Sequence, residues 1–164
     1  MRSNHAGETG AVWIYKGILA LSIDGEIRSF AEHHLATEQE HLAFFEDWLS
    51  SGHKSLLLPL WRLSGFILGA VSALGGRRWV YASIEAVETF VVQHYESQYP
   101  ALDEYGDAVL FSAIRQFCSD EASHRDEAGS EASQRSAFLS AWCSLVSFGS
   151  CLLYTSDAAD EEDS

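Results

Sequence analysis

Two Glu-x-x-His pairs, Glu38–His41 and Glu121–His124, are the residues of this chain best suited to chemistry. Residues three apart share one face of a helix, so each pair can offer a carboxylate oxygen and an imidazole nitrogen to one point. One such pair in a chain with seven histidines is commonly a solvated surface feature. Here there are two, and each is preceded by a single glutamate in an apolar stripe. Glu8 shares its stripe with Ala11, Val12, Tyr15 and Leu19; Glu88 shares its own with Ile84, Val91, Val92 and Tyr95. A carboxylate in such surroundings is costly unless it is paired or bound to metal. The order repeats along the chain: Glu8 then Glu38–His41, Glu88 then Glu121–His124, with Tyr15 and Tyr95 each seven residues after the lone glutamate.

Four carboxylates and two imidazoles, with no thiolate among them, suit iron or manganese better than zinc or an iron–sulfur cluster. One Glu from each of two helices and Glu-x-x-His from each of two others is the ligand set of the di-iron carboxylate bundles. Four negative charges balance two divalent cations. Glu38 and Glu121 are expected to bridge, Glu8 and Glu88 to be terminal ligands, and positions are left open for dioxygen. Three neighbours carry two readings each. Asp120 is either an acceptor for the N–H of a histidine such as His41 or a surface acid. His5, one turn before Glu8, and His34, one turn before Glu38, are either ligands or supports of the site, or satisfied core histidines.

The elements that must position these residues are helical. Proline occurs only at Pro59 and Pro100, and no Asn-Gly or Asp-Gly hairpin joins alternating segments. Periodicity and breakers predict a first helix from about Asn4, its cap, to Ile23, ended by Asp24-Gly25. A second runs from about Glu26 to Leu49, a third from Val80 to Tyr99 where Pro100 stops it, and a fourth from Asp107 to Gly129. An apolar link, Leu56 to Gly76, joins the second and third; an apolar fifth segment covers about Ser136 to Gly149. The expected fold is all-α: a ferritin-like four-helix bundle with a di-iron centre, an apolar link and a truncated fifth helix.

The 164 residues suit one domain. A formal charge of -14 argues against nucleic acid, which asks for a basic stripe. Three cysteines without a Cys-x-x-Cys pair, and a polar start over Met1–Glu8, point to a reduced, cytosol-facing setting. Five of the acids crowd into the last eight residues. The string Cys151–Glu161, CLLYTSDAADE, resembles the translation of an adapter used in preparing DNA sequencing libraries. The expected organisation is therefore a functional domain over 1–150 and a non-native tail over 151–164.

Further motifs carry a family resemblance. Asn4-His5-Ala6-Gly7-Glu8, Gly10-Ala11 and Ile14-Tyr15-x-Gly17 resemble the opening of the demethoxyubiquinone hydroxylases of ubiquinone biosynthesis. Pro59-Leu60-Trp61, Gly65-Phe66-x-Leu68-Gly69 and Ala73-Leu74-x-Gly76 are similar to that family's middle segment. Ala86-Val87-Glu88, His94-Tyr95 and Gln98 resemble its third helix, and Asp120-Glu121-x-x-His124-x-Asp126 its fourth. One departure is Ile18, where the family usually has glutamine. The resemblance implies a monooxygenase that hydroxylates the ring of demethoxyubiquinone with O2 at two Fe ions, with NADH as electron donor. No Gly-x-Gly-x-x-Gly nucleotide loop is present. By the same resemblance His94 and Tyr95 become catalytic candidates, for proton or electron relay; read from the residues alone they are equally helix-packing groups.

The apolar link matters because the implied substrate is a lipid. Its charge-free part, Leu63 to Gly76, is short for a membrane span, but Trp61, Arg77, Arg78 and Trp79 flank it as residues at a lipid interface do. The resemblance turns this into an expectation of a peripheral membrane protein on the cytoplasmic face of a bacterial inner membrane. Its expected partners are demethoxyubiquinone, the membrane surface, and a ubiquinone-biosynthesis complex or a second copy of the chain. Two other functions share parts of the pattern: a ferritin-like iron-storage or peroxide-handling protein, and a metal-free helical interaction protein.

Overall fold

The computed structural model describes residues 1–132 and 136–162. Among them the chain is all-α, with helices α1 (Arg2–Leu21), α2 (Gly25–Trp48), α3 (Leu58–Gly75), α4 (Arg77–Tyr105), α5 (Ala108–Glu131) and α6 (Ala137–Glu162). They fall into two compact units: Met1–Val80 with the end of α6 from Cys151, and Tyr81–Ser150.

In the first unit α1 packs against α2 and α3. Its first residues are helical from Arg2, so Met1 occupies the cap position and Asn4, expected as the cap, lies inside the helix. Asp24, expected only as a breaker, caps α2: its carboxylate accepts from the backbone N–H groups of Glu26 (3.0 Å) and Ile27 (3.4 Å). Arg77 donates to the same carboxylate and to Glu26, joining the start of α2 to the start of α4. Tyr15, Ile18, Ile27 and Phe45 are fully buried and form the centre of this core.

The expected link is itself a helix, α3, entered through Pro59 in its first turn, where the missing N–H costs nothing. Its inner face is Trp61, Gly65, Gly69 and Ser72. A Cβ at Gly65 would collide with the carbonyl oxygen of Gly10, and one at Gly69 with that of Ile14, so the backbones of α1 and α3 meet at van der Waals distance. The other face is apolar and open: Leu60, Leu63, Ile67, Val71 and Leu74 are all exposed, at spacings of three and four. Tyr154, near the end of α6, stands edge-on to Trp61 with ring centroids 5.0 Å apart.

In the second unit the core comes from Ile84, Val91, Val92 and Tyr95 of α4, Leu110 and Ile114 of α5, and Leu139 and Val146 of α6. Pro100 does not stop α4, which continues to Tyr105 and ends at Gly106 with φ 78°. Leu102, beyond the proline, is buried and carries the inward face onward, while Pro100 itself is exposed. Asp107, expected only as the approximate start of the fourth helix, caps α5, accepting from Val109 N–H (3.0 Å) and Leu110 N–H (2.9 Å). α6 does not end near Gly149 but runs on to Glu162. The helices α3 and α6 (over Ala137–Asp157) are long and apolar enough to cross a membrane, by length and composition only.

Candidate metal centre

Each unit contains one copy of the expected ligand triad. In the first, α1 supplies Glu8 and α2 supplies Glu38 and His41; each offers a ligand atom, and these atoms lie within 4.8 Å of one another. His41 Nδ1 is 3.7 Å from Glu8 Oε2. In the second, α4 supplies Glu88 and α5 supplies Glu121 and His124, again with ligand atoms within 4.8 Å. His124 Nδ1 is 3.2 Å from Glu121 Oε2 on the preceding turn. All six side chains are 5 % exposed or less.

Local sequence explains part of this arrangement. The i, i+3 spacing aims Glu38 and His41, and likewise Glu121 and His124, along one stripe of their helix. Packing of α1 on α2 then brings Glu8 to the first pair. Two carboxylates within 4.8 Å of each other and out of water repel strongly unless a cation or proton lies between them. The donor set answers that need. Hard carboxylate oxygens and an imidazole, with no sulfur, fit iron or manganese. Cys118 sits one turn before Glu121, but its thiol is turned to the carbonyl of Val92, 3.8 Å away.

The supporting candidates separate. His34 is buried in an aromatic layer, stacked on Tyr15 (5.8 Å between centroids, 18°) and 4.3 Å from Phe30. Asp120 accepts from the Gln116 side-chain amide at 2.9 Å on its own helix. His5 is buried, and its Nε2 points toward Glu46 Oε1 at 3.9 Å, on the last turns of α2. Glu46 was not singled out from the sequence. The available signal was register: Glu46 stands two turns after Glu38 on α2, as His5 stands one turn before Glu8 on a helix running the opposite way.

His94 and Tyr95 lie on α4, in the second unit. Tyr95 is fully buried; His94 is partly buried, parallel to Phe90 at 6.3 Å and 6.2 Å from the Tyr95 ring. Burial pushes the His94 imidazole down to about 4, so the ring is neutral near pH 7. A neutral imidazole beside a phenol can accept or donate a proton, which is compatible with relay and does not require it.

Comparison with known proteins assigns the family. The family model for "Ubiquinone biosynthesis protein COQ7" matches residues 1–154. The 3-demethoxyubiquinol 3-hydroxylase of Rhodospirillum rubrum is 38 % identical over 129 residues, covering 77 % of this chain and 60 % of the relative. Two mitochondrial proteins named NADPH-dependent 3-demethoxyubiquinone 3-hydroxylase also match. That of Dictyostelium discoideum is 36 % identical over 128 residues, covering 76 % of this chain and 59 % of its own length. The Homo sapiens protein is 32 % identical over 133 residues, covering 77 % and 60 %. The chain thus spans about 60 % of the length of these curated relatives. With the paired Glu and Glu-x-x-His triads on its helices and this match along nearly its whole length, the chain belongs to the COQ7 family of ubiquinone biosynthesis proteins.

Proposed function

We propose that this chain is a di-iron monooxygenase that hydroxylates the ring of demethoxyubiquinone, or its quinol, in ubiquinone biosynthesis. The observation that carries this reading is the twofold buried triad, Glu8 with Glu38 and His41, and Glu88 with Glu121 and His124, in a chain of the COQ7 family. The two triads, Glu8 with Glu38 and His41, and Glu88 with Glu121 and His124, would supply the ligands for two iron ions. Bound iron would supply the activation of dioxygen that no side chain can provide. The balance is one ring C–H, one O2, two electrons and two protons, giving one ring C–OH and one water. Electrons come from a nicotinamide, NADH by the resemblance, although two of the relatives carry NADPH in their names.

The protein's own part is to exclude water, hold the carboxylates and move protons. The ligands' burial keeps competing water away. His94, neutral at pH 7, and Tyr95 are proposed as the relay toward substrate on α4.

A lipid substrate is reached from the bilayer surface. The open apolar face of α3 supports this, because residues 48–84 contain Lys54, Arg62, Arg77 and Arg78 and no acid in an otherwise acidic chain. Such a face suits the interface of an anionic membrane. The proposed location is the cytoplasmic face of a bacterial inner membrane. Residues 1–150 are taken as the hydroxylase domain and 151–164 as a non-native tail, on the likeness of CLLYTSDAADE to an adapter translation.

The deciding experiment loads the protein with iron anaerobically, then adds demethoxyubiquinone, reductant and air, with Glu88→Ala as control. Two irons per chain and a hydroxylated quinone that the variant fails to make would establish the monooxygenase. Two irons without product would favour iron storage or peroxide handling. No iron would favour the metal-free interaction protein.

A further inference from the structure

His5 is a buried titratable group that the ligand set does not use. Its side chain is 1 % exposed, and neither ring nitrogen has a hydrogen-bond partner among the described residues. Leaving a buried polar group unsatisfied costs about 1–3 kcal/mol. A phenyl ring would fill the same place without that cost, so packing alone does not account for an imidazole here.

The surroundings of His5 lead outward to solvent. Its Nε2 is 3.9 Å from Glu46 Oε1, and Glu46 is about half exposed, at 52 %. The same Glu46 oxygen is 3.8 Å from Lys54 Nζ, and the charge of Arg62 on α3 also acts on His5. On α1, Glu8 follows one turn after His5 and is buried as well. Burial and the Lys54 charge hold the imidazole below its ordinary value, with Glu46 opposing. A neutral ring carries one N–H and one lone pair, which is what a relay needs to accept on one side and donate on the other.

We propose that His5 is the proton inlet of the metal centre, passing protons from solvent-facing Glu46 toward the buried side that carries Glu8. The inference rests on the proposed oxygen chemistry, which consumes two protons per turnover in a site whose ligands are closed to water. His5 acts through the centre rather than on substrate, and is therefore a positioning and relay residue.

The test uses the full iron-loaded chain with His5→Phe and Glu46→Gln. Iron content and melting temperature should match the wild type in both variants. Single-turnover product formation in His5→Phe should fall about tenfold or more. Part of the oxygen should then leave as hydrogen peroxide, the solvent isotope effect in D2O should change, and added imidazole should restore part of the rate. Glu46→Gln should move rate and isotope effect in the same direction. A second readout needs no quinone: oxidation of two ferrous ions by O2 takes up two protons and yields two ferric ions and hydrogen peroxide. That step should slow in His5→Phe and recover with imidazole.

Wild-type rate and isotope effect in His5→Phe would overturn the inlet. So would loss of iron, which would make His5 a ligand, or a raised KM with unchanged kcat, which would make it a substrate contact. If the wild type itself forms no hydroxylated quinone, the monooxygenase reading fails, and the quinone-free oxidation still decides the role of His5.

Discussion

His41 Nδ1 stands 3.7 Å from Glu8 Oε2, joining two helices whose residues are more than thirty positions apart in the chain. The imidazole and the carboxylate are both out of water. Removing either partner from a bound metal costs ligand charge or geometry that the other cannot replace. Glu8→Ala and His41→Ala should each reduce bound iron from about two per chain to about one or fewer, measured by elemental analysis after anaerobic loading.

Crowded buried carboxylates also reverse their effect when metal is withdrawn. Without cations, Glu38 is fully buried beside Glu8, and its charge is a liability. In chelated protein, Glu38→Leu should be neutral or more stable than wild type by about 1–4 kcal/mol. In iron-loaded protein the order should invert. Urea unfolding with and without chelator checks the crossing.

Close approach of α1 and α3 depends on glycine. A methyl group at Gly69 meets the Ile14 carbonyl oxygen, a backbone atom that no rotamer change can move. Gly69→Ala should destabilise by about 1–3 kcal/mol. Gly149→Ala, with nothing within 4 Å of its new methyl, should stabilise by about 0.5–1 kcal/mol through helix propensity. The opposite signs appear in thermal or urea midpoints.

Acid sensitivity should trace in part to His94. Its folded value of about 4 lies below the unfolded value of 6.5, so between these the unfolded chain binds the additional proton. The stability tied to the neutral ring is complete above pH 6.5 and is lost as pH falls to about 4. His94→Gln, compared in metal-free protein, should flatten the stability curve across that window. An unchanged slope would refute the assignment.

The membrane docking proposed for α3 predicts a loss of vesicle binding when its open face is charged. Leu63 is 58 % and Leu74 75 % exposed, so Leu63→Glu with Leu74→Glu removes no core contact. The double variant should keep its melting temperature and lose sedimentation with anionic phosphatidylglycerol vesicles. Retained sedimentation would direct attention to α6, the other apolar helix.

The two Glu plus Glu-x-x-His sets, their repeat and their helical placement were legible in the chain because they are local. Three-residue spacing puts Glu38 with His41 and Glu121 with His124 on one helical face wherever the helix goes. The start of the fourth helix near Asp107 was readable too, and its capping bonds are local, since they reach N–H groups two and three residues on. Other features turned on contacts between distant segments. Pro100 reads as a stop, yet burial of Leu102 beyond it lets α4 continue to Tyr105. The link from Leu56 to Gly76 reads as uniformly apolar, whereas packing on α1 divides it into a glycine-bearing inner face and an open outer one. His5 reads as a spare histidine near a ligand. Only the pairing of α1 with α2 turns it toward Glu46, because that partner lies forty-one residues away and is selected by helix register rather than by spacing.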